Sequence, residues 1–363
     1  MPLLPMHLLA LNRDPTLPWR QGVSSGISVA VPALIGLAQN EPVGALLGAI
    51  GGLYASLLDY GGTARHRLAT QSFGLCVIVG SGALGLWLGP HHVMMFLLLG
   101  LLTFCIGWID GLGVAMENIF RFAALALVLY AYIPAPPGAA FLYLVIGICI
   151  GVATILIDDR LYPRAAMPRQ HNGLRNGFRL VLAGHSAGVW HAVGFCFTSC
   201  VALWLAQHLH YARPAWVIAV VLFVTRPDGI DSLTRLFRSV FGALVGVGLA
   251  WAVTRLTPHT WALYMWAVLF ATLRPMAMVR NFWIHYALMT AMLMVLFDIL
   301  LLPEGRGAEV SILWIRLHGV LLGSGIALIG MVIFNPQARG YFIDEMRQSP
   351  MHRWLARSRI RQD

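Results

Sequence analysis

The residues best placed to do chemistry are arginines set against turns. Arg226-Pro227-Asp228-Gly229 lies between two apolar runs and leads into Arg235 and Arg238, which share a helical face. A looser copy stands earlier, as Asp59-Tyr60-Gly61-Gly62-Thr63 followed by Arg67. Thr63 and Asp231 are good N-caps at equivalent places, so each opens a helix. An arginine one turn into a helix works against the helix dipole, so another interaction must favour it there. Guanidinium groups grip carboxylates in two-pronged fashion, and the chemistry this pattern offers is recognition of an organic anion. The competing reading is topological, with arginines at helix ends reaching lipid phosphates.

A second set lies deeper. Arg316 and His318 interrupt one apolar run, and Asp298 interrupts the run before it. Charges inside apolar spans are functional candidates by default. Asp298 and Arg316 are expected either to form a pair that fixes a hairpin or to make and break contact in a cycle. In the second case Asp298 or His318 would carry a coupling proton. The turn carboxylates Asp59 and Asp228 join them as coupling or gating candidates, and Trp216 is a candidate for stacking on substrate. The binding set is therefore Arg67, Arg235, Arg238, Arg316 and Trp216. No nucleophile or His–Asp spacing marks an enzyme. The loop histidines His91, His92, His208, His210 and His259 lack the pairing a metal site needs, and nothing calls for a cofactor.

These residues must be positioned by membrane helices. The chain is 58% hydrophobic and 11% charged, with a mean hydropathy of +0.73, whereas soluble domains carry about 25% charged residues. Twelve apolar spans are predicted, at 22–39, 43–58, 68–89, 93–109, 112–133, 139–157, 190–207, 214–225, 236–256, 260–273, 281–302 and 312–334. Spans two, four, eight and ten are short, a pointer to a transporter's centre. All 25 basic residues are arginine, and 21 of them fall in alternate loops and the tails. That distribution excludes a nucleic-acid binder, in spite of a net charge of +10, and puts both termini in the cytoplasm. The five cysteines lie in apolar segments and read as packing residues.

The two halves align. At an offset of 168, Gly61, Arg67, Phe73 and Gly74 meet Gly229, Arg235, Phe241 and Gly242. At 172, Gly147 and Gly151 meet Gly319 and Gly323, and at 171 Trp19 meets Trp190. The organisation expected is an all-α protein of two six-helix repeats in parallel orientation: residues 1–157, a basic cytoplasmic linker at 158–189, residues 190–334, and a basic tail at 335–363. The linker should hold a short amphipathic helix on the anionic inner leaflet.

The second half resembles a known signature. Tyr211 and Trp216, then Arg226-Pro227-Asp228-Gly229, then Arg235 and Arg238 running into Phe241-Gly242 and Gly246, look like the fusaric acid resistance family. That group includes bacterial aromatic acid exporters and, more remotely, aluminium-activated malate channels. The resemblance implies two six-helix repeats, an organic-anion substrate and a homodimer as one option for assembly. Bacterial exporters of this family usually carry a large soluble domain between the repeats. Here about thirty residues stand there, so their partnership with a periplasmic adaptor does not carry over directly. The function expected is proton-driven export of aromatic or other organic carboxylates through the bacterial inner membrane. In that reading Arg67 and Arg235 form a funnel at the cytoplasmic mouth. A passive anion channel and a non-transporting membrane subunit are the alternatives.

Overall fold

The computed structural model describes residues 11, 16–60, 63–89, 93–132, 138–162, 174–211, 213–257, 259–301, 306–336 and 339–340. Side chains at 64, 138–141, 229–231, 298, 300–301 and 306–313 lie outside the description. The described residues are helical, without strand. In chain order the helices are α1 (Trp19–Ala38), α2 (Pro42–Leu57), α3 (Ala64–Leu88), α4 (Val93–Ile109), α5 (Val114–Ala131), α6 (Gly138–Leu161) and α7 (Leu174–Leu182). They continue as α8 (Val189–His208), α9 (Pro214–Val224), α10 (Gly229–Leu256), α11 (Thr260–Arg280), α12 (Phe282–Leu301) and α13 (Arg306–Phe334).

Local chemistry explains several boundaries. Thr63 caps α3 by accepting from the His66 backbone N–H. Gly89 ends that helix at φ +70°, in the left-handed region that favours glycine. Pro42 and Pro214 open α2 and α9, where a missing N–H costs nothing. One expected boundary moves: the span read as 260–273 continues through Arg274 and Pro275 to Arg280. Proline inside a membrane helix is tolerated because neighbouring helices re-satisfy the freed backbone. The expected cap Asp231 lies outside the described side chains.

Eight helices are long and apolar enough to cross a membrane by length and composition: α1, α3, α5, α6, α8, α10, α11 and α13. The apolar helices α2, α4, α9 and α12 are shorter. Much apolar surface faces outward, as a lipid-facing bundle requires. Trp19, Trp87, Trp190, Trp204, Trp251, Trp261 and Trp314 are exposed near helix ends. Cys76 and Cys149 are exposed too, which corrects their reading as packing residues. An apolar periodicity does not separate core from perimeter when the solvent is lipid.

The pairings recur. α2 packs on α6, and α9 on α13; α3 packs on α5, and α10 on α12; α1 packs on α2, and α8 on α9. The main pairings that cross between the sets are α4 on α8 and α11 on α1, with lesser contacts of α5 on α9 and α2 on α12. The Gly-x-x-x-Gly pairs sit at matching contacts. A Cβ at Gly147 would meet the Gly48 carbonyl of α2, and one at Gly323 the Val217 carbonyl of α9, so these glycines permit backbone approach as expected.

Candidate anion-binding sites

At the arginine-rich end of the bundle, the helix termini are laced by two ion-pair networks. In the first, Arg67 Nη2 meets Asp59 Oδ2 at 2.7 Å and Arg67 Nη1 meets Asp159 Oδ1 at 2.9 Å. Arg20 at the start of α1 reaches Asp158 at 3.2 Å and stacks on Tyr162. Arg67 is 2% exposed. The favourable interaction that the helix dipole demands is thus a pair of carboxylates rather than an open funnel.

The second network joins four segments. Asp110, just after α4, accepts from Arg121 at 2.8 Å and from Arg226 at 3.2 Å, and lies 3.1 Å from His191 Nε2. Arg226 also contacts Glu117, whose other oxygen accepts from the Gly111 N–H. Arg121 donates to the Leu222 and Thr225 carbonyls and so caps the end of α9. Burial alone would raise the Asp110 carboxyl, but Arg121, His191 and Arg226 outweigh it and hold it well below the usual carboxylate range. The Arg226-Pro227-Asp228-Gly229 turn is closed by Ser232, which accepts from the Arg226 N–H at 2.8 Å and donates back to its carbonyl. Asn335 clamps the turn through the Pro227 carbonyl. The motif therefore ties the α9–α10 turn to the α4–α5 turn.

Beside the first network lies a groove of about 870 Å³ between the start of α3 and the short helix α7. Arg65, Arg175 and Arg179 give it positive charge, His66 adds an imidazole, and Leu174 and Phe178 give it an apolar wall. Phe178 packs edge-on against Phe73 of α3 at 5.8 Å, and Gly177 lets α7 approach Met116 of α5. The linker thus does hold a short helix. One face of it docks on the bundle, while Leu182 remains 87% exposed.

Near the opposite end, Trp216 and Arg316 come together. Trp216 is buried, edge-on to Phe297 at 5.9 Å, with the Arg316 guanidinium 5.1 Å from its ring centroid. Arg213 lies 4.6 Å over Phe297 and 5.7 Å over Trp216. These are cation–π distances. Burial lowers the Arg213 guanidinium and pushes the neighbouring Tyr211 phenol up to about 12. His318 is exposed, with its ring tilted against Trp314 at 5.5 Å and its Nδ1 2.9 Å from the Trp314 carbonyl. The Asp298 side chain is outside the described ones. Arg235 stacks on Phe282 at 5.5 Å, and Arg238 is partly buried on the same helix. Asp228 is exposed.

Several site residues escaped the sequence reading, among them the Asp110, Glu117 and Arg121 network, Arg213 and the groove arginines. His191 meets a carboxylate 81 positions away, a pairing that no local spacing reveals. Arg274 was assigned to an inner loop, just beyond the predicted span 260–273. It is instead 4% exposed inside α11, where Nη2 donates to Ser56 Oγ at 3.2 Å and Ser25 Oγ at 3.4 Å. An Arg-Pro step inside an apolar stretch was the available signal.

An all-helical bundle with eight membrane-length helices and charges gathered at the helix ends defines a multi-pass membrane protein. Residues 201–330 match the family model described as fusaric acid resistance protein-like, so the resemblance read from Tyr211 to Gly246 is borne out over that region. That family is one of membrane transporters. No curated protein and no solved structure matches the chain.

Proposed function

We propose that this protein is a secondary transporter that exports aromatic or other organic carboxylates across a bacterial inner membrane, drawing on the proton gradient. In this reading all twelve apolar helices cross the membrane as two parallel repeats, with both termini and α7 in the cytoplasm. The matching pairings of α1–α6 and α8–α13 support the repeats, and the arginine distribution supports the orientation.

The groove between α3 and α7 carries the substrate assignment. It joins Arg65, His66, Arg175 and Arg179 to an apolar wall that includes Phe178, which matches an anion with a flat hydrophobic body. Its volume is within the range of small-molecule sites, about 300–1,000 Å³. Arg65, beside the ion-paired Arg67, presents the charge here. Trp216 with Arg213 and Arg316 would serve the opposite mouth.

The test is uptake of labelled terephthalate, an aromatic dianion with little passive leakage at neutral pH, into inside-out vesicles. Wild-type protein should accumulate it, and dissipating the proton gradient should stop accumulation. Replacing Arg175 and Arg179 together by Gln should lower uptake by about tenfold, the loss of one to two charge-assisted contacts. Uptake no greater than in vesicles lacking the protein would refute the assignment.

A further inference from the structure

Resting on that reading, we infer that Arg274 is the carboxylate-binding residue of the translocation path, at a seam where α1, α2 and α11 meet. The observations concern charge first. Arg274 lies six residues before the end of α11, about 9 Å inside the bundle at 1.5 Å per residue. Two serine hydroxyls reach it, and among the described residues no carboxylate does. Its Nε has no hydrogen-bond partner there, and neither does the buried Ser24 Oγ on α1.

The hydroxyl protons are already committed. Ser25 Oγ donates to Ser56 Oγ at 3.1 Å, and Ser56 Oγ donates to the Leu53 carbonyl at 3.0 Å. The serines therefore turn lone pairs toward the guanidinium but bring no net negative charge. A buried cation without a counter-charge is costly; of the other buried guanidinia here, Arg67 and Arg121 each hold an aspartate and Arg316 lies over the Trp216 ring, whereas among the described residues Arg274 has only the serines. Arg274 has the fork geometry for a carboxylate and two oriented hydroxyls beside it.

The seam also carries freed backbone carbonyls. α1 carries Pro32 and α11 carries Pro275, the prolines recorded inside described helices, and these two helices pack on each other. Proline frees the carbonyl four residues earlier, Ser28 in α1 and Ala271 in α11. Gly26 faces Thr272, and Gly52 faces the Ser28 carbonyl. Small residues thus line this seam beside the buried Val29 and Ala33 of α1 and Ala267 and Ala271 of α11. Backbone carbonyls freed by proline beside a buried charge give this seam both backbone and side-chain ligands for an ion.

The experiment is equilibrium binding of labelled benzoate to the purified full-length chain, with unlabelled benzamide and chloride as competitors. Arg274→Met should weaken benzoate at least about tenfold, as expected for loss of a charge-assisted pair. Ser25→Ala with Ser56→Ala retains the cation and should weaken benzoate severalfold, which keeps the inference testable if Arg274→Met does not fold. Benzamide should not compete, because the guanidinium selects the charge. Benzoate bound by wild type and by both variants with equal affinity would overturn the role of Arg274 while leaving the transporter reading in place. Chloride competing as well as unlabelled benzoate would overturn the carboxylate assignment. Absence of any benzoate binding to wild type would overturn both.

Discussion

Two helix contacts hold the same place in the two halves and differ in chemistry. α4 packs on α8, and α11 packs on α1. In the first contact Thr103 of α4 meets the Cys196 thiol of α8; in the second, Arg274 of α11 meets Ser25 of α1. Thr103 and Arg274 are 171 positions apart, as are Ser25 and Cys196, and Trp19 and Trp190. One contact is thus a thiol–hydroxyl seam without proline, and the other holds a buried cation between two helices that each carry an internal proline. Geometry can be kept by both copies of a repeat while chemistry is changed in one.

The comparison breaks most sharply if charge is placed in the quiet seam. Thr103→Arg should destabilise the protein by about 3–5 kcal/mol, since Cys196 and Cys200 offer a cation no oxygen lone pairs. Thermal unfolding in detergent checks this, and a fully stable variant would show that the two seams tolerate charge alike. Asp110→Asn comes next, at about 3 kcal/mol, because it strips the buried Arg121 of its partner. The sign with pH follows from the depressed carboxyl. Its contribution is complete above the usual carboxylate range near pH ~4 and is lost as pH falls through the lower folded value. Acid titration of stability should therefore show a steeper loss for wild type than for Asp110→Asn.

The glycines give a finer contrast. A Cβ at Gly26 would stand 2.1 Å from Thr272 Oγ1, whereas at Gly100 it would meet the Cys196 and Cys200 sulfurs at an ordinary 3.5 Å. Gly26→Ala should cost about 1–3 kcal/mol by overpacking. Gly100→Ala should be neutral or stabilising by up to ~1 kcal/mol through helix propensity. Smallest of all, Cys196→Ser should shift stability by less than about 1 kcal/mol, because a hydroxyl can bond Thr103 in its place. Melting temperatures of the three variants, measured together, would order these effects.

Legibility in the sequence followed the range of the interactions. Helix positions were readable because each span satisfies its own backbone and shows as an apolar run. Thr63 was readable as a cap because its bond is three residues long. The pairing of Trp216 with Arg316 was anticipated only as two members of one set, and the structure places them in contact. Asp59, eight residues before Arg67, stood in the same motif, whereas its second partner Asp159 is 92 positions away and leaves no local trace. Arg274 was hidden because the predicted span stopped at residue 273, whereas packing against α1 and α12 carries the helix on through Pro275.

The central claim is that the charged seam moves carboxylates and its neutral counterpart does not. Counterflow of labelled terephthalate in proteoliposomes tests it directly, using wild type, Arg274→Met and Thr103→Ser. Wild type and Thr103→Ser should exchange label rapidly against internal terephthalate, and Arg274→Met should fall to the rate of empty liposomes. Equal exchange by wild type and a folded Arg274→Met protein would contradict the account.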